Sequence, residues 1–293
     1  PLFTVGYTGV NGGLVIAVAD DPSMYSSQNE QDSRHYAKAS KIPMVEPADS
    51  GECKEFVAAA YELSEKFDTP MLYRLTTRVA HSQSIVELDE PKNIPIKDYE
   101  KNIGKYVMMP GNAKRRHPEV EKRISDMTEY AETTPLNRVE YGDKKIGIIT
   151  SGMCYNDVKE AVGDSVSVLK LGLVYPMPVK LIKDFAAQVE KLYVIEELDP
   201  FIEEHCRNIG VDVIGKELFP ICYEFSTKQI KELITGKKEN DFSTADEAVP
   251  VRPPVLCPGC PHRGTFYVLK KMGLNVCGDI GCYTLGAVAP LGS

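Results

Sequence analysis

The residues that could do chemistry fall in three stretches. In the first, Cys257-Pro258-Gly259-Cys260-Pro261-His262-Arg263 is followed by Cys277-Gly278-Asp279-Ile280-Gly281-Cys282. Four thiols spaced C-x2-C-x16-C-x4-C suit a tetrahedral zinc site or a cubane iron–sulfur cluster, because both are held by thiolates. Such a chain would be a metal-binding interaction module. The alternative is a loop that faces a cofactor with its thiols unligated. The intervening pattern favours the second reading. His262, Phe266, Leu269 and Lys270 fall at helical spacing and Leu274–Cys277 reads as a buried strand, where a zinc ribbon has hairpins. Gly278 and Gly281 then flank a turn that would let backbone approach a ligand closely.

The second stretch is Ser26-Ser27-Gln28-Asn29-Glu30-Gln31-Asp32-Ser33-Arg34, a dense set of donors and acceptors just past an apolar run that ends at Asp20. It reads either as a ligand-facing surface at the carboxyl end of a strand or as a capped helix start. The third is Arg74-Leu75-Thr76-Thr77-Arg78-Val79-Ala80-His81-Ser82, which also follows an apolar run. Arg78 has the fork geometry to clamp a carboxylate, and His81 could move a proton. Against these stand a salt bridge for Arg74 and a loop histidine for His81. The glycine-rich Gly6–Gly13 precedes a strand instead of following one, so it is not a dinucleotide fingerprint, and no phosphate loop, G-x-S-x-G or H-E-x-x-H occurs.

The elements that must position these residues read as alternating strands and helices. Leu14–Ala19 is a continuous apolar run, the mark of a strand buried on both faces. Ser33–Ala39 reads as a helix and Ile42–Glu46 as a strand. A helix follows, capped by Asp49 with Glu52 as the third residue of a capping box and carrying Phe56, Ala60, Leu63 and Phe67 on one face. Met71–Thr76 is the next strand. Residues 85–142 are charged and punctuated by Pro91, Pro95, Pro110, Pro118 and Pro135, so a connector with one exposed helix near Pro118–Glu132 is expected. A second alternation runs over 143–236: strands at Lys145–Thr150, Val166–Leu171, Leu192–Ile195 and Val211–Ile214, with helices between. Asp199-Pro200 reads as cap plus first-turn proline, and Ser226 with Gln229 as a second capping box. Residues 237–254 read as a linker and 255–293 as the start of a third element. The expected class is α/β with parallel sheets in three layers.

Composition narrows the function. The 293 residues carry a net charge of −8, which argues against a nucleic-acid protein with its basic face. The basic cluster Lys114-Arg115-Arg116-His117 is followed by Glu119 and Glu121 and reads as a solvated loop. No apolar run approaches the roughly 20 residues of a membrane span, and no secretory leader is recognised. Eight cysteines without a leader do not suggest disulfides; Cys53, Cys154, Cys206 and Cys222 read as buried thiols. Pro1 and Ser293 do not look like natural ends, so an excised segment is expected.

Taken in order, these stretches resemble the large (alpha) subunit family of indolepyruvate:ferredoxin oxidoreductases, within the 2-oxoacid:ferredoxin and thiamine-diphosphate enzymes. The matching residues are Pro1-Leu2 through Gly12-Gly13, Val18–Pro22, Ser26–Asp32, Thr76–Ser82, Cys257–Arg263 and Asp279–Tyr283. The resemblance implies that 1–84 is the back half of a pyrimidine-binding domain, 143–236 a transketolase C-terminal-like domain and 255–293 the start of a diphosphate-binding domain. It implies oxidative decarboxylation of aryl-2-oxo acids to aryl-acetyl-CoA, with coenzyme A and ferredoxin as partners, a smaller beta subunit and an anaerobic cytoplasm. It places Arg78 and His81 as catalytic candidates. Ser27, Gln28, Asn29 and Glu30 fall on the pyrimidine side, with Cys257, Gly259, Cys260, His262 and Arg263 on the diphosphate side. Asp279, Gly281 and Cys282 would approach the cofactor. It also implies that the glutamate facing the aminopyrimidine, the Gly-Asp that binds Mg2+ and the [4Fe-4S] clusters lie outside these residues, because Glu30 sits at a different place in the pattern. The chain alone is then expected to be inactive.

Overall fold

The structure, a computed structural model, describes residues 1–88, 90, 94–96, 98–238, 250 and 253–292. Most of the expected linker at 237–254 lies outside the described residues, as does Pro91. The chain divides into two compact units, 1–239 and 240–293.

The larger unit begins with α1 (Leu2–Thr8), β1 (Val15–Asp20), α2 (Ser33–Ser40), β2 (Met44–Val45), α3 (Ser50–Phe67), β3 (Met71–Thr76) and α4 (Thr77–His81). The expected connector holds α5 (Ile103–Tyr106) and α6 (Pro110–Ala131). After it come β4 (Arg138–Glu140), β5 (Ile146–Ser151), α7 (Gly152–Val162), β6 (Ser167–Leu171), β7 (Leu173–Tyr175), α8 (Lys180–Ala186), β8 (Lys191–Ile195), α9 (Phe201–Asn208) and α10 (Thr227–Thr235). The described strands make two four-stranded sheets, β1-β3-β2-β7 and β4-β6-β5-β8. Each has three parallel strands and one antiparallel edge strand, so the expected parallel α/β class holds with that addition.

The two alternations do not pack separately. β7, from the second, pairs antiparallel with β2 of the first. One apolar cluster joins Ile42, Met44 and Leu72 to Ile149, Leu169, Leu171 and Phe185. Burial of that mixed cluster removes apolar area from both sheets at once, so the two alternations share one core.

Local signals account for the element ends. The Asp49 carboxylate accepts the Glu52 N–H at 2.9 Å, and the Ser226 hydroxyl accepts the Gln229 N–H at 3.2 Å, as the two capping boxes require. Glu52 goes further than a box residue, since it accepts the Ala48 N–H and ion-pairs with the fully buried Lys170.

Several expectations need correction. The exposed helix near 118–132 is the longer α6, and its inner face is buried through Val120, Arg123, Met127 and Ala131. Arg116 and Arg123 obscured that face: they donate to the Tyr7 and Gly6 carbonyls at the end of α1 (2.7 and 2.9 Å) and to Asp68. They satisfy carbonyls that a helix end leaves open. The start of α9 is one residue later than expected. Asp199 does not cap it; the Glu196 carboxylate accepts the Ile202 and Glu203 N–H groups instead. Val211–Ile214 contributes a single bridge, Tyr193–Ile214. Cys154 and Cys206 are buried, but Cys222 is exposed and Cys53 only half-buried.

The smaller unit is built on α11 (His262–Met272), as the spacing predicts. Leu274–Cys277 is not the buried strand expected: it has no strand pairing and is exposed. Its apolar residues lack a second layer to cover them within this unit, whose core is Leu256 and Phe266, with Tyr283 edge-on to Phe266.

The Lys170–Glu52 pair gives a test of the packing. Glu52→Ala leaves a buried ammonium without its carboxylate and should lower stability by about 3–5 kcal/mol. Lys170→Met combined with Glu52→Gln should recover most of it. Urea unfolding midpoints measure both; a loss under about 1 kcal/mol for Glu52→Ala would show the pair contributes little.

Candidate active site at the carboxyl ends of the sheets

Parallel strands deliver their following residues to one end of the sheet, where ligands usually bind. Here the carboxyl ends of β1, β2, β3, β5 and β8 bring Asp20 and Asp21, Glu46, Thr77 and Arg78, Ser151, and Glu196 and Glu197 to the layer beneath the candidate loops. The lower part of this layer is a buried charge network. Arg74 donates to Asp20 at 2.6 Å and pairs with Glu46. Asp20 also accepts the Ser33 N–H at 3.0 Å and its hydroxyl at 2.5 Å, which fixes the start of α2. Ser151 donates to Glu46 at 2.9 Å, tying in the second sheet. Gly152 follows at φ +52, and a Cβ there would stand 2.4 Å from a Glu46 oxygen, so only glycine fits.

Beside it, Arg34 is 1% exposed and donates to Asp32, to Glu196 and to the carbonyls of Glu197 and Asp199. Burial opposes ionisation of Asp32, but the Arg34 charge holds its carboxyl well below the usual range. Thus Arg74 and Arg34, which sequence alone leaves open as ligand contacts, are structural.

Above this floor lies the exposed layer. Asp21 accepts the Ser26 and Ser27 N–H groups at 2.9 and 3.1 Å and the Thr77 hydroxyl at 2.6 Å. Burial raises its pKa, but these hydrogen bonds outweigh that and bring it down to about 2. Glu30 accepts the Ser23 N–H at 3.1 Å, and Gln31 donates to Asn29 at 3.0 Å. Ser27, Gln28 and Asn29 are exposed. Arg78 donates through Nε to Glu224 at 2.7 Å and through Nη2 to the Tyr25 hydroxyl at 3.0 Å, with its guanidinium 5.5 Å from the Tyr25 ring centre. Arg78 and His81 line one cleft of about 320 Å3 with Tyr25, Ser26 and Thr77. The structure therefore brings these two sequence candidates together, in a cleft also lined by Tyr25 and Ser26, which directly precede Ser27–Glu30 in the chain.

Sequence reasoning missed Glu224 and the role of Tyr25. Glu224 lies 146 residues from Arg78, and no local pattern marks it. Behind it, Asp157 is pushed up to about 6 by burial and by the like charges of Glu160 and Glu224. Glu197 is pushed up to about 7 by burial, although it accepts the Phe225 N–H.

In the smaller unit, Cys260 Sγ lies 3.2 Å from His262 Nδ1, and Arg263 donates to the Cys257 and Leu256 carbonyls at 3.2 and 2.6 Å. Cys257, Gly259, Asp279, Gly281 and Cys282 are exposed, with Gly259 and Gly281 at positive φ (74 and 94). Among the described residues, the only three His, Cys, Asp or Glu groups with ligand atoms within 4.8 Å of one another are Asp32, His35 and Asp199. The four thiols are therefore not gathered as a metal module would need. Nor is the acidic set a convincing metal site, because Asp32 is bound to Arg34, and His35 pairs with Asp199 at 3.0 Å. No helix among the described residues is long and apolar enough to cross a membrane.

No protein-family model matches the chain. Individual proteins do. It is 39% identical to indolepyruvate oxidoreductase subunit IorA of Pyrococcus horikoshii, over 98% of this chain and 49% of that protein. It is 38% identical to the IorA subunit of Archaeoglobus fulgidus, over 99% and 51%, and 39% identical to that of Methanothermobacter marburgensis, over 98% and 51%. The chain thus spans about half the length of the curated relatives it matches. Among solved structures, the 2-oxoglutarate:ferredoxin oxidoreductase of Magnetococcus marinus shares the fold with a TM-score of 0.59 at 19% identity, over 80% of this chain and 50% of that one.

The raised acids set a pH dependence. Asp157 and Glu197 keep a proton in the folded state that the unfolded chain loses above its ordinary carboxylate range. Their contribution is complete below about pH 4 and is lost as pH rises through 6 and 7. Glu197→Gln, which retains an acceptor for Phe225, should flatten the fall in urea midpoint between pH 5 and pH 8. An unchanged slope would show that Glu197 ionises normally.

Proposed function

The chain belongs to the family of indolepyruvate oxidoreductase IorA subunits, corresponding to about half of one, and on that premise we propose that it carries the substrate-reading side of a thiamine-diphosphate 2-oxoacid:ferredoxin oxidoreductase site. The observation that supports this most is the cleft in which Arg78 and His81 stand together above a rigid ionic floor. The overall reaction consumes an aryl-2-oxo acid and coenzyme A. It yields aryl-acetyl-CoA, carbon dioxide and a proton, with two electrons passing to two ferredoxins.

The residues present fit one side of the cofactor. Ser27, Gln28 and Asn29 offer exposed, uncharged donors and acceptors suited to a pyrimidine ring. Asp21 and Glu30 are held by Thr77, Ser26, Ser27 and Ser23, so neither is free to face that ring. The activating carboxylate is then supplied from outside this loop. Cys257, Gly259, Cys260, His262, Arg263, Asp279, Gly281 and Cys282 would begin the diphosphate side; the Mg2+ ligands and the [4Fe-4S] clusters would come from the rest of the subunit. When bound, thiamine diphosphate supplies the electron sink for loss of carbon dioxide.

The chain's own part follows from its geometry. Arg78 orients the substrate carboxylate by a bidentate contact. Glu224 and Tyr25 hold the guanidinium in place before substrate arrives, and a carboxylate must compete with Glu224 for it. His81, in the same cleft, holds or delivers a proton at the substrate oxygen. A smaller beta subunit, ferredoxin and coenzyme A are the proposed partners, in a cytoplasmic enzyme.

In the complete enzyme, Arg78→Ala should lower kcat/KM for the 2-oxo acid by roughly 100-fold, mostly through KM, with partial rescue by Arg78→Lys. Steady-state rates of ferredoxin reduction measure this. Unchanged kinetics would remove Arg78 from the site.

A further inference from the structure

A second cavity in the larger unit shares no lining residue with the Arg78 cleft. It holds about 270 Å3, close to the lower end of small-molecule pockets. Lys38 from α2, Tyr175 at the end of β7, Met177 from the segment between β7 and α8, and Phe201, His205 and Asn208 from α9 form most of its walls. These elements come from both alternations, so the cavity exists only because the two pack as one unit.

Its polar groups are unusually uncommitted. His205 Nε2 is buried and has no hydrogen-bond partner among the described residues. A buried polar atom left this way costs about 1–3 kcal/mol, and a ligand or water that bonds it recovers that cost. Lys38 forms no ion pair among the described residues; its ammonium lies 5.9 Å from the Phe201 ring centre. Glu132, the carboxylate that acts on His205, is occupied by the Val179, Lys180 and Leu181 N–H groups at 2.8, 2.9 and 2.7 Å. Burial, helped by the Lys38 charge, lowers the pKa of His205 and keeps its ring neutral. The cavity thus presents one positive charge, one neutral imidazole and one amide, besides the hydroxyls of Tyr175 and of Thr128, which already donates to the Ile124 carbonyl at 2.7 Å, with Phe201 and Met177 as its apolar side.

We propose that this cavity binds a small apolar monocarboxylate, with the carboxylate between Lys38, His205 and Asn208 and the hydrocarbon body against Phe201 and Met177. A cation is repelled by Lys38, and a neutral ligand of the same shape forgoes the charge-assisted hydrogen bonds that a carboxylate forms. The site is independent of the reaction proposed above, since nothing in its argument uses Arg78 or a cofactor.

Phenylacetate is a suitable probe because it lacks the 2-oxo group and cannot be decarboxylated as a substrate. With histidine-labelled protein, ring carbon–proton correlation spectra resolve the five imidazoles. Titration should shift the His205 signal saturably, that signal being the one absent in His205→Gln. In Lys38→Met, which changes an exposed side chain and should fold normally, the dissociation constant should rise about tenfold. In Arg78→Ala the shift should persist. 2-Phenylethylamine, with the same ring and opposite charge, should not produce it. A His205 signal that stays fixed up to the solubility limit of phenylacetate would overturn the proposal. So would an equal response to the amine, unchanged affinity in Lys38→Met, or loss of the response in Arg78→Ala.

Discussion

The buried Arg74 guanidinium, held by Asp20 and Glu46, is the interaction on which the upper face of the molecule depends. It joins the ends of β1, β2 and β3, and through Ser151 on Glu46 it reaches β5 of the other sheet. One Arg74 nitrogen, Nη2, has no partner among the described residues, so the network is not ideal for stability. Charges buried in this way are expensive unless their geometry is well satisfied, and removal of one partner costs more than the pair contributes. Their effect here is positional. The loop after β1 and the helix after β3 start from fixed points, and Arg78 and His81 inherit that placement.

Above the floor, the same chemistry is used at the surface with weaker restraint. Arg78 is 56% exposed on its side chain and is held by Glu224 and Tyr25, which lie on different segments of the chain. An exposed ion pair contributes little to stability, so its exchange for a ligand carboxylate is cheap. A rigid lower layer and an exchangeable upper one are what a site needs that must keep its shape and still release product.

Much of this was legible in the sequence wherever the signal was local. The apolar runs became β1, β3, β5, β6 and β8, and Asp49 and Ser226 cap the helices they precede. That Arg78 and His81 share one cleft agrees with their reading as neighbours just past a buried strand. The failures share a cause: polar side chains doing buried work. Arg116 and Arg123 hid the inner face of α6 because their partners, the α1 carbonyls and Asp68, are distant in sequence. Glu196 displaced Asp199 as the cap of α9 for the same reason, since it already answers Arg34. Glu224 was invisible because a single glutamate carries no pattern. Leu274–Cys277 reads as a strand by composition, but a strand also needs neighbours, and the described part of the smaller unit offers none.

The central claim is that this chain forms part, and only part, of a thiamine-diphosphate site. Calorimetric titration of thiamine diphosphate with Mg2+ tests it most directly, run on the complete subunit and on the 293-residue chain alone. Saturable one-to-one binding by the complete subunit and none by the chain alone is the expected result, because the activating carboxylate and the Mg2+ ligands are proposed to lie outside these 293 residues. Absence of binding by the complete subunit would contradict the assignment of this surface to the cofactor.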